Sequence, residues 1–147
     1  MPLHPAIVHF PIALLPVALA IDVAALVCRR PEWHRTAYLL LVLGTLGAAA
    51  AVISGNDAAA PYRQGDVDAP VQYHDDLGSV SFLIFLVATL GRLPAYLQPE
   101  VGRRIGIWVL LSALGVAALW LTSTHGGELV YDRGVGVTGG ADLNSVP

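Results

Sequence analysis

The amino-acid sequence predicts an all-α protein, a four-helix transmembrane bundle with up-down topology. Apolar residues make up 55% of the 147-residue chain and charged residues only 13%, which leaves too little polar surface to cover a water-soluble globule. Four apolar stretches also have about the length needed to cross the hydrocarbon core of a bilayer. We therefore expect one transmembrane domain over residues 1–125, embedded in the lipid bilayer, and a short tail over residues 126–147.

The four predicted spans are joined by short connections and one longer loop. They cover about residues 5–28, 36–55, 77–97 and 105–124. The first opens on Pro5, which suits the first turn of a helix, and Pro11 and Pro16 should bend the same helix further along. No positively charged segment precedes this span, so we expect a retained helix and no cleaved signal. The second span carries a face of small residues that should pack inside the bundle, at Gly44, Gly47, Ala48 and Ala51.

The arginines indicate how the spans are oriented. Cytoplasmic loops carry more arginine than external ones, and two of the three connections are rich in it. These arginines are Arg29, Arg30 and Arg35 at the first connection and Arg92, Arg103 and Arg104 around the third. The middle loop, residues 56–76, contains five aspartates against one arginine. We therefore expect this loop, both termini and the tail to be extracytoplasmic.

Charge and cysteine content narrow the classes of function. The formal net charge is -3 and the chain has no basic run, so we expect no nucleic-acid partner. Cys28 is the only cysteine, which excludes an internal disulfide, a CxxC pair and covalent haem attachment. No nucleophile motif or HExxH accompanies the histidines, so an independent hydrolase is not expected.

The histidines form the candidate site. His4 and His9 open the first span, His74 precedes the third and His125 ends the fourth, so all four belong to the predicted outer side. Imidazole is the commonest metal ligand, and bundles build such sites from facing helices. We expect His9, His74 and His125 to converge, with at least two of them ligating haem iron or another metal. His4 lies about 140° round the helix from His9 and should support the cofactor site instead. His34 is interpreted as a solvated loop residue.

Two further observations bear on this site. Small residues flank the histidines on their own helix faces and would leave space for a flat macrocycle, although such residues are common in membrane helices and interfacial histidines also bind headgroups and water. Carboxylates near a ligand can orient it by accepting its second N–H. Asp57 is the preferred candidate for that role or for metal ligation, and Asp75 is another. Asp22 is deep in the first span, where an acid suggests a role in proton transfer or a pairing with a neighbouring helix.

Four segments carry a family resemblance: HPAIVHFPIALL at the start, SGNDA after the second span, the histidine before the third span, and THGGELVYDRGVGV near the end. Together they resemble a bacterial family of membrane proteins of unknown function with four predicted helices. The resemblance implies a layout similar to four-helix haem b cytochromes, a bacterial inner-membrane location and a redox partner of Rieske or cytochrome type. It singles out His4, His9, Asp57, His74 and His125. Unlike two-haem cytochromes, the chain has no second pair of histidines toward the cytoplasmic side.

The leading hypothesis is a multi-pass b-type cytochrome-like protein that binds haem b near the outer face for electron transfer. The alternative is a copper, zinc or iron ion held by His9, His74, His125 and Asp57. A third interpretation is a structural subunit of a membrane complex without a cofactor. Homo-oligomerisation is left open.

Overall fold

The protein is described by a computed structural model that covers residues 3–97 and 105–137. Its α-helices are α1 (His4–Ile7), α2 (His9–Val27), α3 (Trp33–Ala59), α4 (Asp68–Leu97) and α5 (Ile105–Tyr131), with a 3-10 turn at Ala60–Tyr62. Helices α1 and α2 together form one candidate membrane span, and α3, α4 and α5 form three more. No strand occurs in the two described ranges. The all-α, four-helix membrane fold is confirmed, whereas the orientation of the termini stays a prediction.

The first span is interrupted at Val8, between α1 and α2. Pro11 has no N–H to donate to the carbonyl of Ile7, four residues earlier, so the regular hydrogen-bond ladder is broken there. Pro16 lies inside α2. Val8 itself keeps helical dihedral angles and donates to the His4 carbonyl, so α1 continues the span from α2 and packs against α3, which matters for the site because α1 begins at His4.

Two antiparallel hairpins build the bundle. In the first, α1 and α2 pack on α3: a Cβ at Gly44 would lie 2.6 Å from the Leu15 side chain, and one at Gly47 would lie 3.2 Å from Pro11. In the second, a Cβ at Gly115 of α5 would lie 2.8 Å from the Phe85 ring of α4. Each glycine lies against a large side chain of the facing helix, and its lack of a side chain lets the two helices approach closely. This close packing stabilises the bundle, because no hydrophobic effect draws helices together within lipid. Helix α3 packs on α4, and α2 on α5, which closes the bundle.

The centre of the bundle is apolar, with the largest ring, Phe85, fully buried. This core consists of Leu15, Ala18, Tyr38, Leu41, Phe85 and Ala88. Hydroxyl pairs add polar contacts between helices, at 2.9 Å for Thr45 with Thr89 and 3.1 Å for Ser81 with Thr122. Leucine and valine side chains on the outer surface are exposed, as expected of helices that face lipid.

The helices are longer than the hydropathy of the sequence predicts. Helix α4 begins at Asp68 rather than near residue 77, and α5 continues to Tyr131, past the predicted domain boundary at residue 125. The expected loop over residues 56–76 is therefore wrong for most of its length, because helical hydrogen bonding continues through polar residues beyond the apolar core. After α5 the chain turns back, and the Gly136 N–H donates to the Tyr62 hydroxyl at 2.7 Å. Residues 138–147 of the expected tail lie outside the described ranges.

Candidate functional site

At one end of the bundle, two histidines from different helices lie side by side. The ring centroids of His4, on α1, and His74, near the start of α4, are 6.4 Å apart, with their planes at 82°. Both side chains are partly buried. The Nδ1 of His4 lies 3.1 Å from the Ser54 hydroxyl oxygen, and the Nδ1 of His74 lies 3.1 Å from the Thr122 carbonyl oxygen. Each imidazole is thus anchored to a neighbouring helix through the same ring nitrogen.

These hydrogen bonds determine which nitrogen of each neutral ring carries the hydrogen and which has only a lone pair. A carbonyl oxygen only accepts, so His74 must donate from Nδ1 to Thr122. The hydroxyl of Ser54 donates its own hydrogen to the Ala51 carbonyl, at 3.1 Å, and therefore accepts from the Nδ1 of His4. In their neutral forms both rings carry the hydrogen on Nδ1 and a bare lone pair on Nε2. An imidazole that ligates a metal is oriented in the same way by its second nitrogen.

Two glycines leave the space that the imidazole rings of His4 and His74 occupy. A Cβ at Gly55 of α3 would lie 3.1 Å from the Cε1 of His4, and one at Gly126 of α5 would lie 2.9 Å from the Cε1 of His74. Any larger residue at either position would push against a ring that is already fixed by a hydrogen bond. The two glycines therefore make the ring positions possible.

The remaining two histidines of this end point elsewhere. His9 is exposed, and its Nδ1 lies 2.6 Å from the carbonyl oxygen of Pro5, in its own span. His125 likewise bonds to its own helix, with 2.8 Å from Nδ1 to the Leu121 carbonyl oxygen, and its ring meets the edge of Tyr73 at 5.0 Å. Because His4 and His9 face different sides of the span, only one of them can turn toward the bundle, and the structure selects His4.

The expected convergence of His9, His74 and His125 is therefore not the arrangement that the structure has. Over residues 3–97 and 105–137, no group of three or more His, Cys, Asp or Glu side chains is placed to hold a metal ion. His125 contacts Tyr73, the residue before His74 on α4. Histidines from three helices thus do lie at one end of the bundle, with His4 and His74 as its closest pair.

Asp57 and Asp75 are the acids of this end that the sequence singles out. Asp57 is exposed on α3, and Asp75 is partly buried one residue after His74 on α4. Asp75 contributes a negative charge near both His4 and His74. The expected roles of the two carboxylates stay predictions.

A cleft with a volume of about 310 Å³ lies beside His125 and is lined mainly by residues of α4 and α5. Its wall includes His125 and Tyr73 together with the charged side chains Glu128 and Arg133. Neither His4 nor His74 lines it. The cleft and the histidine pair are therefore separate features of the same end.

The opposite end of the bundle holds a buried ionic cluster. The Asp22 carboxylate on α2 accepts two hydrogen bonds from the Arg92 guanidinium on α4, at 2.5 and 3.0 Å. It also accepts one from the Nδ1 of His34 on α3, at 2.7 Å. The exposed fractions of the side chains are 1% for Asp22, 3% for Arg92 and 17% for His34. Three helices are therefore joined by one carboxylate.

Aromatic rings complete this cluster. The Arg92 guanidinium lies 5.6 Å from the centre of the Tyr38 ring, and Tyr38 packs against Tyr96 at 4.7 Å. The Tyr38 hydroxyl donates to the Thr89 carbonyl oxygen at 3.1 Å. Arg35 lies over Tyr96, 5.5 Å from its centre. Aromatic faces attract cations, so the Tyr38 ring stabilises the positive charge that Arg92 brings into the bundle, and the Tyr96 ring stabilises Arg35.

Two sequence-based interpretations are corrected by this cluster. His34 is not a solvated loop residue, because it lies in the first turn of α3 and bonds to Asp22. Arg92 does not flank a cytoplasmic loop but is buried inside α4. The signal that could have found the cluster is Asp22 itself, since an acid deep in an apolar helix requires a partner, and Arg92 interrupts the apolar run of another span.

Comparison with known proteins agrees with the fold. A family model described as "Predicted membrane protein (DUF2231)" matches residues 1–139. No curated protein and no solved structure matches the chain. The matched region includes helices α1 to α5 and both polar clusters. The chain belongs to the DUF2231 family of predicted membrane proteins.

Proposed function

We propose that this membrane protein binds a transition-metal ion between His4 and His74 and serves in electron transfer at that end of the bundle. The observation that carries the proposal is the pair of partly buried imidazoles on separate helices, 6.4 Å apart between ring centroids. Each ring is oriented through Nδ1 and leaves Nε2 free to ligate. Imidazoles that ligate metals are commonly oriented by donation from their second nitrogen, and this similarity supports the proposal.

The separation of the rings suits two ligands on one ion. His4 and His74 would hold the ion through their Nε2 atoms, and the 6.4 Å between their ring centroids brings the two imidazoles near each other. Imidazole ligands suit copper, iron and zinc alike. Asp75 adds a negative charge near both rings, which favours a cation between them.

Haem b is the second candidate, and His4 and His74 would be its ligands. The packing around the rings argues for the smaller group. A Cβ at Gly55 would lie 3.1 Å from the Cε1 of His4, and one at Gly126 would lie 2.9 Å from the Cε1 of His74, so α3 and α5 pass close to the two rings. This close packing leaves less room for a macrocycle, which would require α3 or α5 to move. A single ion needs no such displacement of helices.

When bound, copper or iron supplies one-electron chemistry, while zinc does not. The chain contributes the two imidazoles, the hydroxyl and carbonyl groups that orient them, and the nearby carboxylate of Asp75. A redox protein of Rieske or cytochrome type is the partner class that we propose to exchange electrons with this site. The location that we propose is a bacterial inner membrane.

The test is metal analysis and an absorption spectrum of the protein purified in detergent. We expect about one copper or iron per chain, and we expect His4→Ala or His74→Ala to remove it. His9→Ala is the matched control, because His9 is an exposed histidine of the same end and should retain the metal. A Soret band that shifts on reduction would select haem, and stoichiometric zinc would retain the site but contradict electron transfer. Metal-free, colourless protein would refute the proposal and leave the structural-subunit interpretation.

A further inference from the structure

The cluster of Asp22, Arg92 and His34 lies at the end of the bundle away from the histidine pair, and the proposed electron transfer does not use it. We propose that this cluster is a proton-accepting site that opens at the arginine-rich end, with the Nε2 of His34 as the atom that takes up the proton. The inference is independent of the metal proposed above.

The carboxylate of Asp22 fixes the direction of each hydrogen bond. Two N–H groups of Arg92 donate to it, so both carboxyl oxygens of Asp22 act as acceptors. His34 must then donate from Nδ1 over the 2.7 Å contact. Its Nε2 consequently carries a lone pair whenever the ring is neutral. Catalytic Asp–His pairs use the same arrangement to make Nε2 a proton acceptor and to stabilise the imidazolium.

The three side chains of the cluster differ in burial. The Asp22 and Arg92 side chains are 1% and 3% exposed, whereas His34, in the first turn of α3, is 17% exposed. Because the imidazole is the least buried member of the cluster, we place proton entry at His34. In the uptake step, hydronium gives its proton to Nε2, a new N–H bond forms and water is released. The step is reversible and needs no oxidant or reductant.

The charges around His34 define what uptake does to the site. With a neutral ring, Asp22 and Arg92 cancel, and uptake adds one positive charge beside the carboxylate. Arg92 opposes this charge, and the exposed pair of Arg30 and Glu32, 3.5 Å apart, is nearly neutral in sum. The other ionisable side chains of this end that the structure describes are Cys28, Arg29, Arg35, Tyr38 and Tyr96.

If the cluster served only to join the helices, it would not require His34. The bidentate pair already joins α2 to α4, and Arg92 also reaches the His34 carbonyl oxygen at 3.4 Å. The imidazole adds a titratable group that connects the buried carboxylate to the surface. This connection is the feature that the proton-accepting role explains.

The experiment is nitrogen NMR of the protein labelled at histidine and reconstituted in lipid nanodiscs, with His34→Gln used to identify the His34 signals. As the pH is lowered from about 8 to about 5, we expect Nδ1 of His34 to stay protonated while Nε2 changes from unprotonated to protonated. A neutral ring with its hydrogen on Nε2, or an Nε2 signal that does not change over this range, would overturn the proposal.

A second variant tests whether the Asp22 carboxylate fixes the tautomer of His34, without leaving an unpaired buried charge that could disturb folding. The double substitution Asp22→Leu with Arg92→Leu removes both charges together and is expected to fold, since apolar replacement of a buried ion pair is often tolerated. Without its acceptor, His34 should lose the fixed tautomer and show a mixture of both neutral forms. The signals of His9, which bonds to the Pro5 carbonyl, should not change. A His34 tautomer that stays fixed in the double variant would show that Asp22 does not position it, and would overturn the proposal.

Discussion

The ion pair between Asp22 and Arg92 predicts a strong non-additivity of mutations. Both side chains are at most 3% exposed, so solvent does not screen the charge that a single substitution leaves behind. Removal of one partner of a buried pair costs about 3–5 kcal/mol, because the remaining charge is uncompensated. We therefore expect Asp22→Leu and Arg92→Leu each to lower the free energy of unfolding by about that amount.

The double variant gives the opposite expectation. Replacing a buried pair by apolar residues is often neutral, or stabilising by about 1–4 kcal/mol, and here the replacement also lies in an apolar membrane span. The coupling energy of the cycle should therefore exceed about 3 kcal/mol in magnitude. Steric trapping in bicelles measures the free energy of unfolding for the four proteins of the cycle. Single variants that each cost less than about 1 kcal/mol, or effects that simply add, would refute a buried, bidentate pair.

Three further predictions concern packing, the metal site and orientation. Gly115→Ala places a Cβ 2.8 Å from a fully buried ring and should lower the free energy of unfolding by about 1–3 kcal/mol, whereas Gly127→Ala, which meets nothing within 4 Å, should change it by less than about 0.5 kcal/mol. Equal effects of the two substitutions would contradict the packing. Gly126→Ala should displace the ring of His74 and reduce metal content in elemental analysis, while Gly127→Ala should retain it. Cys28 is the only cysteine and is exposed at the arginine-rich end, so a membrane-impermeant maleimide should label it in inside-out vesicles and not in intact cells. Labelling of intact cells would reverse the predicted topology.

The sequence predicts the four helices well and their ends poorly. Apolar runs identify spans because a bilayer requires them, but a helix that leaves the bilayer continues for as long as its backbone bonds are satisfied. Asp68 therefore starts α4 well before its apolar part, and α5 continues to Tyr131. Hydropathy contains no information on these extensions.

The histidine end is predictable only in part, for a geometric reason. Helical periodicity shows that His4 and His9 face different directions but not which of them faces the bundle. That choice depends on how α1 packs against α3, where His4 contacts Ser54. Asp75 approaches the pair because α4 extends beyond the predicted span, which no local pattern reveals.

The ionic cluster at the opposite end is missed when each residue is assigned separately. Arg92 then counts with the connecting loops, and His34 is assigned to solvent. If Asp22, deep in an apolar span, must have a partner, Arg92 and His34 both become candidates for that partner, and their assignments to a loop and to solvent change together. Pairwise compensation of buried charge is thus a more reliable guide in this chain than the count of arginines.

The sequence separation of the ion pair has a consequence for biogenesis. Asp22 and His34 are 12 residues apart and belong to the first hairpin, but Arg92 lies 70 residues after Asp22. While the ribosome is still producing the second half, the nascent chain therefore holds an acid that lacks its guanidinium. A chain that is truncated before α4 keeps this defect permanently. Membrane proteases and insertion chaperones that respond to unpaired charge can thus distinguish an unfinished copy from a complete one.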